Sequence, residues 1–261
     1  MRRRLSQVFL VDTHYVDRIV RAVGPRETDS FVEIGPGTGT LTVPLLESGA
    51  TVLAIELDPV LADGLAARLS PAYRDRFRLI REDYLQTDLS RLLGGQGVRL
   101  VSNLPYHISG QALEKMVAER GSYQDVHLTL QKEVADRLCA GPGTKEHGLL
   151  TVAVGLHFQV TKLFNVPPGA FRPVPGVTSA FLWLEHRSDA PAGEIARAAL
   201  RLARSAFSAR RKALRNSLRP VLGNETETIL ERAGIDPSAR AEDLSVSQYE
   251  ALARLVLSGS V

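Results

Sequence analysis

The residues best equipped for chemistry in this 261-residue chain are the run Ser102-Asn103-Leu104-Pro105-Tyr106-His107-Ile108-Ser109. Asn103 offers a side-chain oxygen, and the backbone beside Pro105 offers a main-chain carbonyl, so two acceptors fall close together. Such a pair suits an exocyclic amine on an aromatic ring. That amine is a poor nucleophile because its lone pair is delocalised into the ring. Holding both N–H groups turns the nitrogen towards sp3 geometry and restores the pair. Tyr106 would stack on the ring, fix it and exclude water. Asn103, Leu104, Pro105 and Tyr106 are therefore the candidate catalytic residues. The plain alternative is a strand-ending turn in which Asn caps and Pro punctuates, and what precedes the run weighs against it.

Upstream, Val32-Glu33-Ile34-Gly35-Pro36-Gly37-Thr38-Gly39-Thr40 follows a strand-like stretch and opens a helix-like one. Glycines there let the backbone approach a nucleotide-like ligand closely. A tight turn without a ligand and a dinucleotide site are the competing readings. The spacing G-x-G-x-G differs from the dinucleotide G-x-G-x-x-G, and S-adenosylmethionine has no pyrophosphate to be met by a helix N-terminus. Glu56, closing the next strand, can accept hydrogen bonds from both ribose hydroxyls, and Asp83, after the third, from an adenine amine. Successive strand ends of an open parallel sheet line one crevice, so these residues fall together. The expected cofactor is S-adenosylmethionine, held by Gly35, Gly37, Glu56 and Asp83. Its sulfonium is already an activated donor, so no metal or covalent enzyme intermediate is needed.

Elements that would position these residues are legible in the hydrophobic pattern. Val16, Ile19, Val20 and Val23 repeat at helical spacing over 15–23, and Pro25 ends that helix. Strand-like runs follow at 31–34, 51–55, 77–80, 98–101 and 126–130, separated by helical segments at 41–46, 59–69 and 111–119. Alternation of this kind predicts an α/β fold, a Rossmann-like, mostly parallel sheet covered on both faces. Strand-like 155–160 and 179–185, flanking the loop 166–176, are expected to finish the sheet as an antiparallel pair. Ser188 to Gly193 reads as a linker. Beyond it, helices are expected at 194–208, 211–222, 225–233 and 247–258. The expected division is a catalytic domain at 1–188 and a small all-α domain at 189–261.

Hydrophobic residues make up 44% of the chain and charged residues 23%, the balance of a globular protein. No apolar run reaches the roughly 18 residues that span a bilayer, and the N-terminus lacks an apolar signal core, so a cytoplasmic protein without membrane attachment is expected. Cys139 is the single cysteine, which excludes an intrachain disulfide and a cysteine zinc cluster. The formal net charge is only +3, but its distribution is uneven. Arg2, Arg3 and Arg4 form one cluster. Arg197, Arg201, Arg204, Arg210, Arg211, Lys212, Arg215 and Arg219 form another, with no acidic residue among them. A local excess of this kind favours phosphate backbones, with a solvated helix face as the alternative. Arg210, Arg211, Lys212 and Arg215 are the candidate contacts to such a backbone. No heptad pattern or apolar stripe points to a dimer, and monomer is the default.

Taken with the glycine turn, the Asn-Leu-Pro-Tyr run matches the Asn-x-Pro-Tyr motif of amino-methyltransferases. The chain as a whole resembles the ribosomal-RNA adenine N6-dimethyltransferase family. Motifs at 6–12, 103–109, 130–138, 166–175 and 210–218 carry the likeness through nearly the whole length. Glu33 within the glycine motif is also typical of methyltransferases. The resemblance implies that Leu10, Gly35, Glu56, Asp83 and Asn103 contact the cofactor and that Phe171 faces Tyr106 across a flipped target base. It further implies a substrate of two adjacent adenines near the 3′ end of small-subunit RNA, each receiving two methyl groups, with the small-subunit precursor as partner.

The sequence departs from the family pattern at Ser6, Val8, His107, His147, Leu149, Gly176 and Thr178. At Val8, where a polar residue is common, only the backbone can make a hydrogen bond. Three other readings compete: the same chemistry on large-subunit RNA, a ribosome-assembly or nucleic-acid-binding factor with weak catalysis, and a small-molecule methyltransferase. A pure binder has no physical need for Gly35, Glu56, Asp83, Asn103, Pro105 and Tyr106, and a small-molecule enzyme leaves the basic stretch without a purpose.

Overall fold

The computed structural model describes residues 8–95 and 97–259. The expectations attached to Arg2, Arg3, Arg4 and Ser6 lie outside the described residues.

Nine strands form among the described residues: β1 (Phe9–Leu10), β2 (Ser30–Ile34), β3 (Thr51–Ile55), β4 (Phe77–Ile80), β5 (Val98–Asn103), β6 (Tyr123–Gln131), β7 (Phe158–Val166), β8 (Phe171–Arg172) and β9 (Ser179–His186). Seven of them make one sheet in the order β4-β3-β2-β5-β6-β9-β7. From β4 to β6 every neighbouring pair is parallel, and β9 runs antiparallel to β6 with Gln131 opposite Ser179. The fold is thus α/β, mostly parallel with an antiparallel part, as the alternation of periods predicts. β2 buries four successive residues, which is why its sequence is nearly continuous apolar rather than alternating. Chain order reverses at β2, which has β3 on one side and β5 on the other. The crevice outside the carboxyl ends of β2 and β5 is therefore the switch point where open α/β sheets take ligands.

Local signals set the helices that matter here. The helix Thr13–Val23 starts at Asp12, whose side chain accepts the His14 N–H at 2.9 Å, and stops at Gly24 with φ 57°. The helix Pro59–Tyr73 begins with proline at its first position, and Asp58 accepts from Val60 and Leu61. Phe31, Leu45, Val52, Leu65, Phe77, Val101 and Phe181 belong to one buried cluster around the sheet.

The chain packs as two compact units, 1–135 with 161–185, and 136–160 with 186–261. A single cut at the 188–193 linker therefore does not describe the packing. The reason lies in the helix Leu149–Gly155, for which the sequence pattern predicts no element and which takes up Gly155, the first residue of the strand expected at 155–160. Val152 and Leu156 pack into the cluster of Ala199, Leu202, Leu214, Leu230 and Tyr249. A short apolar run is compatible with either period, and burial against helices decides it. The strand begins only at Phe158.

The helix expected at 211–222 is also different. It is split into Leu214–Ser217 and Arg219–Leu222, with Pro220 inside the second piece lacking the N–H that a continuous helix would use. Residues 209–212 form a turn closed by Lys212 N–H to Ala209 O at 2.7 Å. The loop 166–176 is not featureless either, since β8 within it pairs antiparallel with β1.

Candidate active site

One cleft opens at the switch point. Val8, Leu10, Glu33, Gly35, Gly37, Glu56, Asp83, Asn103, Leu104, Pro105 and Tyr106 are among the residues that line it. All but one of the cofactor and catalytic residues expected from sequence or resemblance meet there. The exception is Phe171: its side chain is fully buried in the sheet cluster and is absent from the cleft wall. A ring enclosed on all sides has no free face for a base, so the stacking role implied for Phe171 is not met by this arrangement.

The glycine turn is held from below by a carboxylate. Gly35, Gly37 and Gly39 have φ of 64°, 56° and 82°, a left-handed path open to glycine. Gly37 is needed twice over, because a Cβ there would lie 2.9 Å from the Phe9 ring. Its N–H donates to Glu56 Oε2 at 3.1 Å, and the Asp58 N–H donates to Glu56 Oε1 at 2.9 Å. Glu56 is thus anchored at both oxygens by backbone, and each keeps lone-pair capacity for hydroxyl donors. Asp83 is fixed through Oδ1, which accepts the Leu85 N–H at 2.9 Å.

Glu33 is the cleft residue whose role sequence reasoning left unassigned. It is 2% exposed, and its Oε2 meets no hydrogen-bond donor among the described residues. Burial, helped by the charge of nearby Glu56, outweighs the opposing influence of the Thr42 hydroxyl and holds its carboxyl up at about 7. Two buried acids in one cleft, one with an unsatisfied oxygen, suit a ligand that carries positive charge. S-Adenosylmethionine, with its sulfonium and ammonium, fits that donor set. The signal was present in the sequence: a charge inside a continuously apolar strand rarely sits there without a partner.

At the other wall, β5 ends on Asn103, whose Nδ2 donates to the Val8 carbonyl at 3.1 Å. Only a donor can face that carbonyl, so Oδ1 is the atom left as acceptor. Leu104 is pinned by its N–H to Thr129 O at 3.2 Å, and Pro105 closes a turn through Ile108 N–H at 3.2 Å. Tyr106 is half-buried and shares a 2.6 Å hydrogen bond between its hydroxyl and Ser179 Oγ. Desolvation raises its phenol pKa, keeping it neutral.

Basic residues of the second unit behave unequally. Arg210 donates to the Lys145 carbonyl and to His147 O at 3.3 Å, and its Nε lies 3.5 Å from Glu242. It serves as an internal clamp. Arg211, Lys212 and Arg215 are exposed, as is the Arg210 side chain, which its carbonyl contacts hold at the surface. Lys145, Arg210, Arg211 and Arg240 line one groove there, with Glu242 and Asp243.

Comparison with known proteins agrees with this geometry. A ribosomal RNA small subunit methyltransferase A from Methylococcus capsulatus is 43% identical over 97% of this chain and 96% of its own length. A dimethyladenosine transferase from Plasmodium falciparum superposes with a TM-score of 0.80 at 25% identity, covering 94% of this chain and 95% of the other. A 23S rRNA methyltransferase, ErmE, shares the fold with a TM-score of 0.74 at 24% identity, over 95% of this chain and 98% of the other. The family model for ribosomal RNA adenine dimethylase matches residues 1–256, and the chain belongs to that family.

Proposed function

We propose that this protein uses S-adenosylmethionine to methylate the N6 amine of adenines in ribosomal RNA, and that the substrate is the small subunit, with two adjacent adenines near the 3′ end each dimethylated during assembly. The observation that carries the reading is the commitment of Asn103 Nδ2 to Val8 O, which presents an acceptor oxygen in the same cleft as the glycine turn, Glu56 and Asp83.

Gly35 and Gly37 allow close approach of the cofactor, Glu56 takes its ribose hydroxyls, Asp83 takes its adenine amine, and Leu10 covers it. When bound, the cofactor supplies a methyl group on positively charged sulfur, already activated for transfer. Asn103 Oδ1 and the main-chain carbonyl beside Pro105 then hold the two N–H groups of the target amine. Both acceptors turn its lone pair towards the methyl carbon, a gain in positioning and electrostatics. As the N–C bond forms, the C–S electron pair stays on sulfur and the nitrogen's surplus proton passes to water, so the second transfer proceeds with the one N–H that remains. Tyr106 supplies an aromatic face for the flipped base and excludes water. Arg211, Lys212 and Arg215 in the helical C-terminal part contact RNA phosphates. The enzyme works as a monomer in the cytoplasm.

Labelled S-adenosylmethionine, incubated with small subunits lacking the modification, large subunits and bare RNA, tests the reading. Label should enter adenines of the small subunit. Label confined to the large subunit would transfer the substrate to that particle, and no label anywhere, with cofactor bound, would leave a binding factor.

A further inference from the structure

Tyr106 is tied to the sheet, not to the loop that carries Phe171. Its hydroxyl lies 2.6 Å from Ser179 Oγ. Ser179 is fully buried and opens β9, where it stands opposite Gln131 of β6. The next rung is closed by Lys132 N–H donating to Thr178 O at 2.9 Å. The serine hydroxyl is therefore carried on hydrogen-bonded rungs of the sheet, while Tyr106 sits in a single turn, Tyr106–Ile108, after Pro105. A ring on one turn has two soft side-chain torsions, and pinning its far end removes that freedom before a base arrives.

We propose that Ser179 is a positioning residue for the methyl-transfer reaction, holding the Tyr106 ring as a preformed platform on which the target adenine stacks. Ser179 itself lies outside the cleft wall and touches the base only through Tyr106. Tyr106 lines the cleft three residues after Asn103, so the pose of its ring bears directly on where a base beside Asn103 can stack. The inference rests on the reading of the protein as an RNA adenine methyltransferase.

A double-mutant cycle on the full-length protein tests it. Tyr106→Phe, Ser179→Ala and the double variant each delete the same bond while the ring stays. Three readouts serve: KM and kcat for undermethylated small subunits, quenching of 2-aminopurine placed at the target position of an RNA hairpin, and calorimetric affinity for S-adenosylmethionine. One neutral hydrogen bond corresponds to about fivefold. Each single variant should raise KM and weaken the quenching by about that factor, the double variant should match the singles, and cofactor affinity should stay unchanged. If Ser179→Ala still costs its full factor in the Tyr106→Phe background, or if cofactor affinity falls with it, Ser179 supports the fold generally and the tether is refuted. Should Ser179→Ala fail to fold, Tyr106→Phe removes the bond from the cleft side, and unchanged KM and quenching there refute the tether equally. A wild-type protein that transfers no methyl to RNA overturns the underlying reading, whereas active wild type with an additive cycle overturns the tether alone.

Discussion

Asn103 at the end of β5 is oriented by the backbone of Val8, ninety-five residues earlier: its amide nitrogen donates to that carbonyl at 3.1 Å. The carbonyl is carried next to β1, whose pairing with β8 and the bonds from Val11 and Asp12 N–H to Ala170 O hold the segment in place. Which end of the amide faces the ligand is thus set by main chain, and a side chain at position 8 is not required. Val8 makes the interaction that orients this amide through its backbone alone.

Asn103→Asp should separate orientation from shape. The substituted carboxylate cannot donate, so an oxygen opposes the Val8 carbonyl and the acceptor is no longer held. Single-turnover methyl transfer to small subunits should fall by roughly a hundredfold or more, the scale of removing one preorganised polar group, while the melting temperature changes little because Asn103 is only part-buried. Transfer within about threefold of wild type, under about 1 kcal/mol of barrier, would remove Asn103 from the chemistry.

Much of this site is legible in the sequence, for a physical reason. A parallel sheet writes itself as short apolar runs, and its ligand residues follow those runs, so Gly35, Glu56, Asp83 and Asn103 can be assigned to one crevice from order alone. What the pattern does not reveal acts through backbone or through packing. Val8 contributes a carbonyl, which has no residue-type signature. Ser179 is a serine at a strand start, indistinguishable in sequence from a turn residue. Phe171 carries the right chemistry in the right motif, yet its exposure depends on how β8 lies on β1. Arg210 stands in a basic run and spends its guanidinium on the carbonyls of Lys145 and His147. The division of the chain is hidden because the helix Leu149–Gly155 carries no distinct signal ahead of the strand expected at 155–160, and only burial of Val152 and Leu156 with helices of the second unit reveals where it belongs.

Glu33 predicts an unusual dependence of stability on pH in the cofactor-free protein. Its carboxyl is raised by burial to about 7 in the folded state from an ordinary 4.5. Between those values the folded state holds more protons than the unfolded one, so stability falls as pH rises through that window. His127 works in the opposite sense over an overlapping range, since burial lowers it to about 4 from 6.5 and stability is lost as pH falls below 6.5. Glu33→Gln removes the first contribution alone. Its melting temperature should exceed that of wild type at pH 7.5, converge with it near pH 4.5, and rise from acid to neutral pH more steeply than wild type. Equal pH profiles for the two proteins would show that Glu33 titrates normally. The same variant should bind S-adenosylmethionine more weakly at pH 8, where the wild-type carboxylate meets a cationic ligand.

Gly37→Ala combines two penalties. A left-handed φ of 56° disfavours any residue with a Cβ by about 1 kcal/mol, and the added carbon lies 2.9 Å from Phe9 Cε1. Phe9 and Gly37 both line the cleft, so the ring or the turn must shift into the space the cofactor needs. Calorimetry should show S-adenosylmethionine affinity reduced about tenfold, equivalent to about 1.4 kcal/mol, together with a lower melting temperature. A variant that loses stability and keeps full affinity would mean the shift goes away from the cleft.

The basic residues of the second unit should divide into two classes under salt. Arg211, Lys212 and Arg215 are exposed, and charge reversal of the three should weaken RNA binding and flatten the plot of log K against log salt by up to about 0.9 for each phosphate no longer neutralised. Their removal should leave stability within about 0.5 kcal/mol of wild type, the usual range for surface substitutions. Arg210→Ala should do the reverse. It frees the carbonyls of Lys145 and His147 and leaves Glu242 without its guanidinium, so thermal stability drops while the salt slope changes by less than a single phosphate would account for. Filter binding to a small-subunit RNA hairpin between low and moderate salt, beside thermal melts of the same proteins, measures both. If Arg210→Ala flattened the slope as much as the triple reversal and melted like wild type, its clamp to the 145–147 segment would be incidental and its function would lie on the RNA.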